Sequence, residues 1–419
     1  MKKVVIPVIL LLLQCYVVVY GREWLGLDGN PAVLFILFLL VPLYYLSVLK
    51  KGEAPMPVKP SVSNVLTGGI LGLAALACTI PSLDKLFAEY NDPGKLSDVM
   101  TQLNALYERY AAGKFPYYPI EDYSWHPYPV YMPLNWLPLA LSHIFHFDNR
   151  WVGALAMIVA NGIWGIYVWR NKVNVIVKLL AISLPLFILI FYISYARMDV
   201  GVSMETLIAA YYMILAIGLL QKNIYMITIG LILCLLSRYT FVFWLPLFAI
   251  VYWQNIPRKT NIMMWGAVLL AVVVLYIIPF YMKDPTILKE GILYHNNCAV
   301  EEWDGYGEPP ISYTFVPGIY FASYFKNLLP GNTPEQIYIM RVIQGSLMIL
   351  LNIIGIVYYQ RNKTRVDYSF YTLLMLFVFI MIFYMFSPLL YKYYHILTLS
   401  VSAMLCGAIM LSRNRETTP

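Results

Sequence analysis

Residues 97–117 read SDVMTQLNALYERYAAGKFPY, a polar stretch led by Asp98 and set between long apolar runs. Leu96, Val99, Met100, Leu103, Leu106, Tyr107 and Tyr110 recur at steps of three and four, which predicts an amphipathic helix with one apolar stripe. Gly113 and Pro116 stop it. Asp98, Gln102, Ala105 and Arg109 fall on the opposite face, with Asp98 in the first turn. A scaffold dissolved in lipid has no need of such a helix at its surface; ligand capture or chemistry does.

The rest of the chain is that scaffold. Of 419 residues 60% are hydrophobic and 12% charged, where soluble domains carry about 25% charged residues. Apolar segments fall near 4–20, 31–49, 64–82, 130–147, 151–169, 178–194, 201–220, 223–237, 240–254, 262–281, 336–358, 368–386 and 389–411. Most are long enough to cross a hydrocarbon core of about 30 Å. Isolated strands cannot satisfy their backbone in lipid, and the alternation of a membrane barrel is absent, so the fold class is an all-α polytopic membrane protein. Lys2-Lys3 followed by the run from Val4 to Tyr20 resembles a signal sequence without a small-x-small cleavage site and reads as a retained first helix. Four of the five cysteines lie in apolar runs and only Cys298 in a loop, so no disulfide framework or zinc spacing is visible.

Basic clusters set the orientation. Lys2-Lys3, Lys50-Lys51, Arg170/Lys172/Lys178, Lys222, Arg258-Lys259, Arg361/Lys363/Arg365 and Arg413/Arg415 all fall on the inner side if one segment does not cross. That segment is 130–147, whose Pro133, Asn135, Pro138, His143 and His146 suit a re-entrant or surface-lying helix. About twelve crossings and one partial helix are therefore expected. The stretches 83–129 and 282–335 then share the outer side with the turns carrying Arg197-Met198-Asp199, Ser237-Arg238-Tyr239 and Ser387-Pro388. The division is 1–63, two N-terminal spans; 64–281, a module holding loop 83–129; 282–335, a second loop that reads as a lid; and 336–419, the C-terminal spans.

Both outer loops are acidic: 83–129 holds seven Asp/Glu against four Lys/Arg, and 282–335 seven against three. Both are rich in aromatic rings, which anchor at membrane surfaces and also stack on sugar faces. No phosphate-cradling Gly-rich loop, internal repeat or nucleic-acid patch stands out. On spacing alone Asp98 also fits as a first-turn residue complementing the helix dipole.

Several short motifs bear a family likeness. Asp98, Ala111-Ala112-Gly113, Pro116-Tyr117, Tyr128-Pro129, Pro133 and Pro138-Leu139 together resemble the first outer loop of GT-C glycosyltransferases, most of all glycosyltransferase family 87. Arg197-Met198-Asp199-Val200 stands where that family often has a Gly-Gln-Val-Asn/Asp turn. Gly230 to Arg238 ahead of Phe243–Pro246 resembles its "GL…K…P" segment, with Arg in place of Lys. Ser387-Pro388 and Tyr393-Tyr394-His395 resemble its final span. The likeness covers most of 90–250 and 385–400, and the two segments before 64 are additional to the pattern.

The resemblance implies a GT-C-like fold and transfer of a hexose, mannose by family habit, from a polyprenyl-phosphate carrier to a lipid-linked or surface glycan. It implies that Asp98 is the general base, deprotonating the acceptor hydroxyl as it attacks and inverts the anomeric carbon. A phosphate leaving group needs cations, and Arg197, Arg238, Lys392 and His395 are placed to meet it. Arg197 and Arg238 equally fit as residues snorkelling to the interface, and Asp199 and Glu205 as partners of Arg197. Arg109 could hold Asp98 ionised. Contacts to sugar or acceptor fall to Arg109, Tyr117, Tyr118, Glu121, Asp122, Trp125, Tyr128 and Trp303, with Asp92 a further acidic candidate.

No cofactor is expected, the lipid-phosphate sugar being co-substrate, and no divalent metal is evident, since His143 and His146 lack further ligands. The expected partners are the donor lipid, a glycan or glycolipid acceptor and membrane lipid, with no nucleic acid. Short loops and the Met-Lys-Lys start suit a bacterial inner membrane, with the site facing the periplasm or exterior. Two rival readings remain: a lipid-linked oligosaccharide flippase or transporter without bond chemistry, and a glycan polymerase or ligase with a diphosphate-linked donor. Transporters usually show repeats and charges at the bilayer midplane, whereas the charges here cluster at span ends.

Overall fold

The computed structural model describes residues 2–48, 61–95, 97–121, 126–305 and 318–412, and every regular element among them is helical. α1 (Lys3–Leu27) and α2 (Gly29–Val48) are parted at Gly26, whose φ of 71° is one that glycine adopts without strain. α3 (Val62–Ala77) and α4 (Ile80–Glu89) form one span with a break between them. α5 (Asp98–Ala111) follows, then α6 (Ala140–Phe145), α7 (Arg150–Trp169), α8 (Val175–Tyr195) and the single turn α9 (Arg197–Gly201). α10 (Glu205–Gln221), α11 (Ile224–Leu235), α12 (Leu245–Asn255) and α13 (Arg258–Val272) continue the bundle. α14 (Ile287–Asp304) and α15 (Ala322–Leu328) precede the closing α16 (Thr333–Asn362), α17 (Tyr368–Met385) and α18 (His395–Met410).

Among the described residues nine helices are long and apolar enough to cross a membrane, so the chain is an all-helical protein of polytopic membrane type. Three of the twelve expected crossings fall short of that length: α10 and α11 are shorter apolar helices, and segment 240–254 divides into a 3₁₀ turn (Tyr239–Trp244) and α12. Segment 130–147 is broken into Pro133–Trp136, the turn Leu137–Leu139 and α6, as its prolines predict.

Burial orders the bundle from centre to rim. The most apolar windows of α17 and α18 are 89% and 94% buried, whereas those of the spans Arg258–Tyr281 and Thr333–Asn362 are 17% and 22% buried and form the rim. α10 packs on α7, α11 and α18 at the centre. Small residues let α3 close on α7: a Cβ on Gly72 would collide with the Asn161 carbonyl, and one on Gly68 with that of Gly165. Asn161 Nδ2 donates to the Gly72 carbonyl at 2.7 Å across this seam. Gly72→Leu should therefore part the two helices and lower stability by about 2 kcal/mol or more, read as earlier thermal unfolding in detergent. An unchanged melt would mean that the seam opens freely.

The loops gather at one end. Arg150, 2% exposed, ties them together: its guanidinium pairs with Asp148 and donates to the carbonyls of Phe87 (2.9 Å), Tyr90 (2.8 Å) and Gly201 (2.6 Å). Asn135 Nδ2 reaches the Ser237 carbonyl at 2.6 Å, and Trp303 Nε1 that of Pro388 at 2.7 Å. The described parts of 83–129 thus meet residues 196–201, 237–240, 287–304 and 387–394 at one end of the bundle. At the opposite end Lys222 Nζ donates to Asp367 Oδ2 at 2.6 Å. Gly307, Pro309 and Pro310 of the expected lid lie outside the described residues.

Candidate functional site

α5 begins where the sequence places it. Ser97 caps it through its hydroxyl, which accepts from the Val99 amide at 3.3 Å, and Gly113 ends it at a φ of 72°. Asp98 is half-buried in the first turn, and its Oδ2 accepts from Gln102 Nε2 at 2.6 Å. Burial raises the Asp98 carboxyl above its ordinary range, and the hydrogen bond from Gln102 opposes that rise. Tyr131, Tyr294, Tyr391 and Cys298 lie within reach of its charge. Burial before all else, and the Asp98 carboxylate among lesser causes, pushes these hydroxyls up and the Cys298 thiol to about 11.

Beside this group opens a cavity of about 950 Å³. Its walls come from the 130–135 turn, the 237–243 turn, α14, the start of α16 and residues 383–394. Tyr131 links it to Asp98, which does not itself form the wall. Two guanidinium groups face the cavity, and they differ in kind. Arg238 forms a buried ion pair with Glu205 and lies 4.7 Å from the centre of the Tyr394 ring. Arg341 has no carboxylate within ion-pair distance among the described residues. It donates instead to His295 Nδ1 at 2.9 Å and to Asn296 Oδ1 at 3.2 Å. A guanidinium cannot accept, so His295 Nδ1 does, and the ring is neutral. Burial, with Arg341's charge second, pulls the His295 pKa down to about 4.

The other expected residues divide sharply. Arg197 pairs on the surface with Glu89, 41% of its side chain exposed, and Asp199 faces Lys392 at 3.9 Å. Glu205, expected beside Arg197, holds Arg238 instead. Burial raises Asp199 to about 6, with Lys392's charge acting against it. His395 is fully buried between the Phe38 and Tyr384 rings, 5.8 and 6.4 Å away, and lies off the cavity wall.

Arg109 does not hold Asp98: it donates to the carbonyls of Pro116 (3.0 Å), Tyr118 (2.6 Å) and Pro119 (3.0 Å) and covers the Tyr118 ring at 3.5 Å. The cause is Gly113, which folds the chain back beneath α5 and brings those carbonyls to the guanidinium. Tyr117 is buried, donating to the Tyr131 carbonyl at 3.0 Å, and Tyr118 is exposed. Glu121 is exposed beside His126 at 3.3 Å, Tyr128 is half-buried, and the fully buried Trp303 anchors α14 to Pro388. Asp122 and Trp125 lie outside the described residues. The His143 ring lies 4.3 Å from that of Tyr107, tilted by 34°, while His146 takes a left-handed φ of 54° past the helix end, so the two share no helix face. Among the described residues no group of three or more His, Cys, Asp or Glu is placed to hold a metal.

Two cavity residues escaped the sequence reading. Arg341 lies inside an apolar run, and a lone ionisable residue in a span is itself a functional signal. His295 carries no such signal, because only the packing of α14 on α16 brings it to Arg341.

No protein-family model matches the chain, and neither a curated protein nor a solved structure is found to be similar to it.

Proposed function

We propose that this chain is a membrane glycosyltransferase that moves a hexose, mannose by the family resemblance, from a polyprenyl-phosphate carrier to a lipid-linked or surface glycan. The observation that carries the reading is the raised-pKa carboxylate of Asp98 beside a cavity of about 950 Å³ bordered by guanidinium groups at the loop-bearing end of the bundle. A base of raised pKa takes a hydroxyl proton more readily than an ordinary carboxylate does. The acceptor oxygen attacks the anomeric carbon as Asp98 removes its proton. The carbon–oxygen bond to the carrier phosphate breaks, and the phosphate leaves with the electron pair, inverting the centre. Basic links at the other end, among them Lys222 and Arg258-Lys259, support an orientation with the site outside, in a bacterial inner membrane.

Membranes with and without the chain, supplied with radiolabelled polyprenyl-phosphate mannose, test this. Label should enter the lipid or glycan fraction only when the chain is present. Carrier bound by the chain, with no label transferred from it or from other polyprenyl-phosphate sugars, would return it to the flippase class.

The Gln102 bond gives a pH prediction. It favours the ionised carboxylate, so Gln102→Leu should raise the Asp98 pKa further. Transfer is present above that pKa and lost as pH falls through it. The acid limb of kcat/KM in Gln102→Leu should thus move to higher pH, and a limb that stays or moves down would disprove the coupling.

A further inference from the structure

The cavity beside Asp98 holds a charge, that of Arg341, with no carboxylate paired to it among the described residues. Arg238 is neutralised by Glu205, and any anion reaching it must compete with that carboxylate. Among the described residues the partners of Arg341 are neutral: His295, Asn296 and Gln344, the last at 3.4 Å. Glu301 also lines the cavity but is exposed and beyond ion-pair distance. A guanidinium in a mostly apolar pocket without a counter-charge is costly to keep. His295 and Asn296 use one of its nitrogens, Nη2, and fix its plane.

The opening of the cavity says what form the counter-charge takes. Leu288 and Ile292 of α14 and Tyr338 of α16 line it and are themselves 36%, 63% and 70% exposed. Tyr338 begins an exposed apolar stripe on α16 that continues through Val342, Ile349, Ile353 and Val357. That stripe belongs to a rim helix of span length, so the mouth opens sideways onto the surface that lipid would cover. An apolar chain can leave between α14 and α16 while its headgroup stays at the guanidinium.

We propose that Arg341, held in place by His295 and Asn296, is the anion-binding residue of this cavity, and that it takes a phosphate-type headgroup whose apolar chain exits between α14 and α16. This deepens the glycosyltransferase reading by naming the group that holds the carrier, and binding alone tests it, without transfer. Arg341 is a binding residue and His295 a positioning residue.

Full-length chain in nanodiscs is titrated with radiolabelled farnesyl phosphate and, separately, with orthophosphate. Arg341→Gln should weaken farnesyl phosphate binding by about thirtyfold, the size expected for charged hydrogen bonds. The paired change Glu205→Gln/Arg238→Gln, which removes the other guanidinium without stranding a carboxylate, should weaken binding clearly less than Arg341→Gln does, because Glu205 already occupies Arg238. Should Arg341→Gln fail to fold, Arg341→Lys carries the test, with an expected loss of about tenfold because an ammonium cannot bind in a bidentate fork. Wild-type affinity in whichever Arg341 variant folds, or a loss in the paired variant as large as that one's, overturns the assignment. Orthophosphate binding as tightly as farnesyl phosphate overturns the sideways exit of a chain. Transfer activity persisting while the Arg341 variants bind normally would sink this assignment and leave the enzyme reading standing.

Discussion

Asp98→Asn should lower sugar transfer by at least about a hundredfold, the usual minimum for loss of a general base, while the folded state and carrier affinity persist. Asparagine is nearly isosteric, and its Oδ1 can still accept from Gln102, so the first turn of α5 keeps its shape. What disappears is the site for the acceptor's proton. The competing role, complementing the helix dipole, carries a different signature: about 0.3–1 kcal/mol of stability at the helix start and no special loss of rate. Melting curves and initial rates on the same preparation therefore separate the two roles. Asp98→Glu keeps the charge but shifts it by one methylene, and should retain part of the transfer. Full transfer by Asp98→Asn would place the base on another residue.

Arg238→Gln should be the most destabilising single change among the ionic groups, by about 3–5 kcal/mol. Glu205 is 4% exposed, and only one of its oxygens, Oε1, is engaged, by Arg238. Removing the guanidinium leaves a carboxylate uncompensated inside the bundle, where it must be protonated or draw in water. Adding Glu205→Gln removes that charge and should recover most of the loss, so the two changes are strongly non-additive. Thermal unfolding of the two single variants and the double one measures this directly. A double variant as unstable as Arg238→Gln alone would show that the cost lies in packing around the Tyr394 ring rather than in the stranded charge.

Membrane class and helical fold were legible from composition and apolar runs, and α5 holds Asp98 in its first turn and stops before Gly113 as its pattern predicts. Helical spacing also brings Asp98 and Gln102 together, because residues four apart on a helix touch whatever the tertiary fold. It failed for Arg109, since spacing tells which residues share a face and not which carbonyls the returning chain presents to it. The ion pairs were out of reach for a related reason. Arg197 with Glu89 and Arg238 with Glu205 join residues 108 and 33 positions apart, brought together by bundle packing rather than by local pattern. Apolar runs do not report helix length: those at 201–220, 223–237 and 240–254 fold as shorter or broken helices, so nine of the twelve expected crossings are long apolar helices among the described residues. Buried positions reward apolarity whether or not the helix is long enough to span.

Donor choice tests the central claim most directly. Purified full-length chain in nanodiscs is given an acceptor extract with either polyprenyl-phosphate mannose or a nucleotide-linked mannose, each radiolabelled. Transfer from the lipid-linked donor alone, lost in Asp98→Asn, is the predicted result. Transfer from the nucleotide-linked donor, or tight binding of the lipid donor with no transfer at all, would contradict it.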